Sequence, residues 1–335
     1  MTDTEELLRI DNLDIEFRGA RRSVVTASDD VSLVIHRGET VGLVGESGSG
    51  KTTIGAATLG LAPVKDGTIV FRGEDITHAS AARRRAISAQ LQVIFQDPYS
   101  SLNPSRTIGQ TLIEPLLVHR KLDRAEANDA VGSMLEKVGL PRTAAARYPA
   151  QFSGGQRQRI AIARALMVSP ELVICDEAVS ALDLSVQAQV LNLLLSLQEE
   201  FGVSYLFISH DLSVVRHMCD RIVVLYRGKV MEEGDADSIH DRPAHPYSQT
   251  LLAASPIPDP TAQRAQRERI TLAMKPAIPG AQGVGCRFAA RCAFATEICL
   301  REDPALRLGP TGTMVACHNV DVAVAAFDAA GKQSR

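Results

Sequence analysis

The stretch LVGESGSGKTTIG, Leu43 to Gly55, decides the fold. An apolar run, Thr40 to Val44, leads into it and a helix-like run leaves it, so a turn of glycines and small hydroxyl residues joins a strand to a helix. Within it, GESGSGKT (Gly45 to Thr52) has the form G-x-x-x-x-G-K-[ST]. Glycine admits left-handed backbone, so the N–H groups of Gly45, Glu46, Ser47, Gly48, Ser49 and Gly50 can turn inward on one anion. The helix beginning at Lys51, Thr52 and Thr53 adds its positive end. Lys51 then reaches the β and γ phosphates of a nucleotide, and Thr52 offers a hydroxyl to Mg²⁺. The plainer alternative is a flexible Gly/Ser turn; the strand before and the helix after weigh against it.

Outward from this turn, short apolar runs alternate with helical patterns. Leu13–Phe17, Val31–Ile35, Thr40–Val44, Ile69–Phe71, Gln92–Phe95, Leu172–Cys175, Tyr205–Ile208 and Ile222–Leu225 read as strands. Val186, Val190, Leu194 and Leu197 recur at helical spacing between Ser185 and Glu200. The alternation predicts an α/β fold with a mostly parallel sheet covered on both faces. From Tyr99 to Ala150 the periodicity is helical with no convincing strand, which reads as a helical insertion. After His240 the chain turns rich in proline and small residues (DRPAHPYSQTLLAASPIPDPTAQ), which marks a linker, and the domain boundary is placed there.

A second group of residues extends the phosphate turn into a site. LVICDE, Leu172 to Glu177, is an apolar strand ending in two acids. At the C-terminal edge of a parallel sheet, Asp176 would hold Mg²⁺ and Glu177 would orient and polarise an attacking water. Ser153 is a good N-cap, and Gly154, Gly155 and Gln156 open the helix it starts, a second place for an anion. Read alone, the paired acids fit a solvated turn and SGGQ fits an ordinary capped helix.

Taken together, the P-loop, FQDP with Gln96, the signature FSGGQ, LVICDE, SALD ending at Asp183 and ISHD with His210, all in order, make residues 8 to 235 resemble the nucleotide-binding subunits of ABC transporters. The usual signature begins with leucine; here Phe152 takes that place. The resemblance implies a P-loop NTPase fold of ABC type, with an antiparallel β subdomain and a helical subdomain at about 99–165 inside a 1–240 nucleotide-binding domain. It also implies head-to-tail pairing, the signature turn and Asp183 of one chain closing over ATP on the P-loop of another. Gln96 would touch Mg²⁺ or the water and sense the membrane partner, and His210 would contact the γ-phosphate. An aromatic residue usually stacks on adenine; Phe17 is the nearest candidate, although RGARRSVV after it is longer than the usual spacing and a core strand position fits it equally. With Lys51, Asp176, Glu177 and His210 all present, hydrolysis is expected and a non-hydrolysing regulatory subunit is not.

Finer text, including QDPYSSLNPSRTIGQTLIEPL and HPYSQTLLAASP, resembles the oligopeptide and dipeptide importers. That resemblance implies peptide import through two permease subunits contacted around Tyr99 to Leu117, a second ATP-binding subunit that is a related chain, and a separate substrate-binding protein. It places the chain at the cytoplasmic face of the membrane. Nickel, glutathione and sugar importers share the subfamily, so the solute stays open. The late cysteines Cys286, Cys292, Cys299 and Cys317, spaced C-x5-C-x6-C-x17-C, suit four-thiolate binding of Zn²⁺ or a [4Fe–4S] cluster, with unligated thiols as the alternative and His318 as a substitute ligand. Related importer tails carry this pattern with a [4Fe–4S] cluster, which favours iron–sulfur in a Cys-rich extension at 241–335.

Composition fits this reading. Lysine and arginine number 36 against 39 aspartate and glutamate, so the chain lacks the basic footprint of a nucleic-acid binder. That weighs against the other class considered, a soluble ABC ATPase acting on nucleic acid or ribosomes. The acidic start MTDTEELLRIDNLDIEF has no basic run and apolar core of a signal peptide, and no apolar stretch reaches the roughly 18 residues of a membrane span. In the reducing compartment this implies, the six cysteines are not expected to pair.

Overall fold

The computed structural model describes residues 5–18, 24–97, 101–119, 123–255 and 284–332. Residues 98–100, from the proline of FQDP through Tyr99, where the insertion and the permease contact are expected to begin, residues 19–23 after Phe17, and the part of the proline-rich stretch beyond residue 255 lie outside them.

Two sheets organise the chain. β1 (Glu6–Arg18), β2 (Val24–His36), β4 (Asp66–Phe71) and β5 (Glu74–Asp75) form an antiparallel sheet in the order β2-β1-β4-β5. The second sheet holds β3 (Thr40–Val44), β6 (Leu91–Ile94), β7 (Leu172–Asp176), β8 (Ser204–Ser209), β9 (Arg221–Tyr226), β10 (Lys229–Asp235), β11 (Arg307–Leu308) and β12 (Met314–Val315). Its order is β11-β12-β10-β9-β3-β8-β7-β6, parallel from β9 to β6 and antiparallel beyond. This is the ABC-type arrangement, a mostly parallel sheet joined to an antiparallel subdomain.

The parallel strands read as continuous apolar runs because both faces are covered. Leu172, Ile174, Leu206 and Ile208 enter one core with Leu8, Ile10, Ile54 and Ile69; Val173, Cys175, Tyr205 and Phe207 enter the other with Val190, Leu194 and Ile162. Each fully buried aliphatic side chain contributes roughly 1.5–3 kcal/mol. On the second face lie helices Gly154–Leu166 and Leu184–Phe201, the latter started by Asp183 and stopped by Gly202 at φ 64°. Between β6 and β7 the insertion is helical as expected, with Ile108–His119 and Arg124–Lys137 packed together.

The stretch after His240 departs from the expectation. Within the described residues it is no linker: Pro246–Ala254 is a helix, with Tyr247 fully buried and Leu251 nearly so. Proline at the first helical position starts this helix, since its missing N–H has no partner there to lose. Beyond it, β12 pairs with β10, so the Cys-rich segment is stitched into the main sheet.

Candidate active site

Three neighbouring strands bring the site together. β3, β8 and β7 run parallel, so the loops leaving Val44, Ser209 and Asp176 open at one edge of the sheet. From β3 the chain turns through Gly45–Gly50 into helix Lys51–Thr58. Glycine is required at two places in that turn. A Cβ on Gly45 would stand 2.1 Å from the Leu225 carbonyl oxygen, and Gly50 combines φ 105° with a 2.0 Å approach to the Ala27 carbonyl oxygen. Ser47 and Gly48 are exposed at the tip of the turn, Ser49 is buried, and Thr53 is half-buried on the helix behind Thr52.

Lys51 is buried and folded over its own loop. Its Nζ donates to the carbonyl oxygens of Gly45 at 2.7 Å and Glu46 at 2.9 Å. Burial pulls its pKa down, and the charges of Glu177, Asp176 and Glu46 push it back up. Phosphate oxygens are stronger acceptors than those carbonyls, so a polyanion can take over the ammonium.

The acids stand opposite. Thr52 Oγ1 donates to Asp176 Oδ1 at 2.8 Å, tying the first turn of the helix to the end of β7. Burial is the main influence on Asp176 and raises its pKa, with the Thr52 hydrogen bond acting against it. Hard oxygen donors from a hydroxyl and a carboxylate suit Mg²⁺. Glu177 follows in left-handed backbone, φ 47°, with its N–H donating to the Ile208 carbonyl at 3.0 Å. Its carboxylate accepts from Gln96 Nε2 at 3.0 Å and lies 3.6 Å from His210 Nδ1. Gln96, Glu177 and His210, far apart in sequence, therefore form one polar cluster beside Lys51 and Asp176.

The signature residues gather elsewhere. Ser153 caps helix Gly154–Leu166 through a reciprocal pair: Gln156 N–H donates to Ser153 Oγ at 3.3 Å, and Ser153 N–H donates to Gln156 Oε1 at 3.0 Å. Phe152 is buried, with the Arg147 guanidinium 4.3 Å from its ring centre, so an apolar residue is well housed there. Asp183 accepts from the Val186 N–H at 3.0 Å and from Ser185 Oγ at 2.7 Å, with the first of these the main cause of its lowered pKa. Among the described residues, no hydrogen bond joins Ser153, Gln156 or Asp183 to the phosphate turn. Phe17 sits near the end of β1, 39% exposed, on a strand pair whose Ala27 touches Gly50. It is not a core phenylalanine.

Residues beyond the sequence reading also reach the site. Tyr247, from the HPY segment, accepts the Glu46 N–H at 2.8 Å, and Arg291 grips the Glu46 carboxylate with two nitrogens at 2.8 and 2.9 Å. HPY was visible as a pattern without a role; Arg291, 245 residues from Glu46, gave no signal at all. Glu232, almost fully buried, accepts from the backbone N–H groups of Ala244 and His245 at 2.8 and 2.9 Å and from Thr313 Oγ1 at 2.9 Å. It clamps the C-terminal segment to β10.

The late cysteines share a neighbourhood. Cys286, Cys292, Cys299 and Cys317 line one small enclosed cavity with Phe288, His318 and Asn319, and none of the six cysteines forms a disulfide. Asn319 Nδ2 donates to Cys299 Sγ at 3.4 Å. Among the described residues, however, no three His, Cys, Asp or Glu side chains stand in a metal-holding arrangement. The His318 ring bonds instead to the Glu302 carbonyl, at 3.0 Å.

Residues 28–180 match the family model described as ABC transporter, and residues 231–299 match that of the oligopeptide/dipeptide transporter C-terminal region. The oligopeptide transport ATP-binding protein AppF of Bacillus subtilis is 47% identical over 297 residues, 88% of this chain and 89% of that protein. The chain belongs to the ABC transporter ATP-binding proteins, in the oligopeptide/dipeptide group. Another member, the dipeptide transport ATP-binding protein DppF of Haemophilus influenzae, is 44% identical over 90% of this chain and 91% of its own. Among solved structures, the ABC cassette MJ0796, as a dimer in a post-hydrolysis state with ADP and Pi, superposes with TM-score 0.63 at 27% identity, over 69% of this chain and 99% of that one. CbiO1 of Clostridium perfringens gives TM-score 0.63 at 26% identity, covering 70% and 90%. As a family member the chain is an ATP-hydrolysing subunit that uses ATP and Mg²⁺, works as a dimeric ATPase and serves membrane permeases. No helix among the described residues is long and apolar enough to cross a membrane.

Proposed function

We propose that this chain is the ATPase of a peptide importer, hydrolysing ATP to energise passage of dipeptides or oligopeptides through two permease subunits. The observation that carries the chemistry is the convergence of Lys51, the Thr52–Asp176 pair and the Gln96–Glu177–His210 cluster beyond the ends of β3, β7 and β8. Lys51 and the N–H groups of Gly45–Thr53, other than those of Glu46 and Ser49, which donate to Tyr247 Oη and to the Glu46 carbonyl, hold the triphosphate. Thr52, Asp176 and Gln96 would hold Mg²⁺, which when bound neutralises phosphate charge. Glu177 polarises the attacking water, Gln96 and His210 keep its carboxylate aimed, and His210 contacts the γ-phosphate. Phe17 stacks on adenine.

The other half of the site comes from a second ATP-binding subunit, a related chain, whose counterparts of Ser153–Gln156 and Asp183 close over this nucleotide while this chain's own serve the partner. Support comes from the separation of the two anion sites within one chain. Helix Ile108–His119, with Leu117 and Val118 exposed at its end, belongs to the permease contact, which places the chain peripherally at the cytoplasmic face. The nucleotide-binding domain is taken as 1–240, its helical part at about 99–165, and the extension as 241–335. There Cys286, Cys292, Cys299 and Cys317 hold a [4Fe–4S] cluster in preference to Zn²⁺, a reading supported by their shared cavity. A substrate-binding protein delivers the peptide without touching this chain.

Reconstitution of the assembled transporter in lipid vesicles tests this. Peptide uptake is expected to need ATP and to vanish with Lys51→Ala; uptake that persists at the normal rate in that variant would refute the proposal.

A further inference from the structure

The C-terminal segment reaches back into the phosphate turn. All three polar groups of Glu46 are engaged, two of them by that segment. Its N–H donates to Tyr247 Oη at 2.8 Å, and its carboxylate takes the two Arg291 nitrogens at 2.8 and 2.9 Å. Its carbonyl accepts Lys51 Nζ at 2.9 Å, so the residue that Arg291 grips also positions the phosphate-binding lysine. Arg291 is itself fixed. Its guanidinium lies 5.8 Å from the Tyr226 ring centre and 5.6 Å from that of Phe288, and those rings pack with Tyr247 at 4.6 to 5.4 Å.

From this geometry, and resting on the ATPase reading above, we propose that Arg291 is a positioning residue that sets the affinity of the phosphate turn for ATP. Two effects act together. The bidentate pair fixes the backbone of Glu46, and with it the turn of N–H groups. The guanidinium also neutralises a carboxylate that would otherwise repel a triphosphate a few residues away. The Cys-rich segment is thereby part of the nucleotide site as well as an appendage to it, because Arg291 directly precedes Cys292.

Equilibrium binding of ATP to the full chain, with steady-state hydrolysis by the assembled transporter, tests the proposal. Arg291→Ala is expected to raise the Kd and KM for ATP about fivefold while kcat stays within about twofold, and Arg291→Lys falls between. Adding Glu46→Gln to Arg291→Ala removes the stranded charge but does not restore the bidentate pair, so KM is expected to fall about halfway back, to roughly two- to threefold above that of the unaltered protein. Mere detachment of the C-terminal segment would not be rescued in this way. Should Arg291→Ala fold poorly, Arg291→Gln, which keeps a side chain over Tyr226 and Phe288, takes its place. An unchanged KM in a folded Arg291 variant, or a double variant no better than the single, overturns the proposal. Lys51→Ala run alongside separates the two claims: if it loses ATP and Arg291→Ala does not, only the role of Arg291 fails; if it binds ATP normally, the ATPase reading fails.

Discussion

Two turns of this chain present N–H groups at the start of a helix, and their surroundings differ. Around Gly45–Gly50 stand a buried lysine, a hydroxyl–carboxylate pair and the Gln96–Glu177–His210 cluster. Around Ser153–Gln156 the hydrogen bonds close on the turn itself. The first turn has reactive side chains gathered around it; the second, among the described residues, is a helix start closed by its own reciprocal cap. On the pairing proposed above, the residues around the first turn act in their own site and those of the second act in a neighbour's.

The largest effect that sharpens this contrast is Glu177→Gln. The amide keeps the shape and the neighbours but cannot polarise water, so kcat is expected to fall by about 10²–10³-fold with ATP binding retained. Single-turnover hydrolysis beside equilibrium binding measures both, and equal loss of binding would move Glu177 from the reacting water to the ground-state site.

A smaller effect probes what supports the first turn from behind. His245 is buried, its Nδ1 accepts the Tyr247 N–H at 2.9 Å, and burial pulls its pKa from 6.5 down to about 3. The unfolded chain therefore takes up a proton that the folded chain refuses. Stability from this residue is complete above the unfolded value of 6.5 and is lost as pH falls toward about 3. Glu232, which accepts the His245 N–H and whose pKa burial raises, acts with the opposite sign, so the difference between proteins is the useful quantity. Between pH 7 and 5, denaturant unfolding of the unaltered chain is expected to lose about 2 kcal/mol more than that of His245→Gln. Equal losses would mean that the folded protein protonates His245 as readily as the unfolded chain does, so that burial does not hold its pKa down.

How much of this was legible in the sequence follows the same division. Residues acting through short-range rules were readable: Thr40–Val44 as a strand buried on both faces, Gly45–Thr52 as an anion turn, Ser153 as a helix start. β1 was read only from Leu13 because its first half mixes charged and apolar residues, and β10 was missed because Glu232, Glu233 and Lys229 mask a strand. Pro246 misled in the other direction, since proline marks a loop and a helix start equally well until the cap before it is seen. The Arg291–Glu46 pair was not legible in any local pattern. It exists because the sheet order brings β10, β9 and β3 together, a property of topology and not of spacing.

The most direct test of the split site is Gly154→Asp. A side chain here meets its first neighbour, Leu182 Cδ2, at 3.9 Å, whereas one at Gly155 would meet Val186 Cγ1 at 2.4 Å, so residue 154 takes the change without disturbing the fold. The new carboxylate suits the helix start but repels a phosphate brought against it. Binding of ATP to the isolated chain should stay within about twofold, and hydrolysis by the assembled transporter should fall by about 10²-fold or more. Normal hydrolysis, or a matching loss of binding in the isolated chain, would contradict a site shared between two subunits.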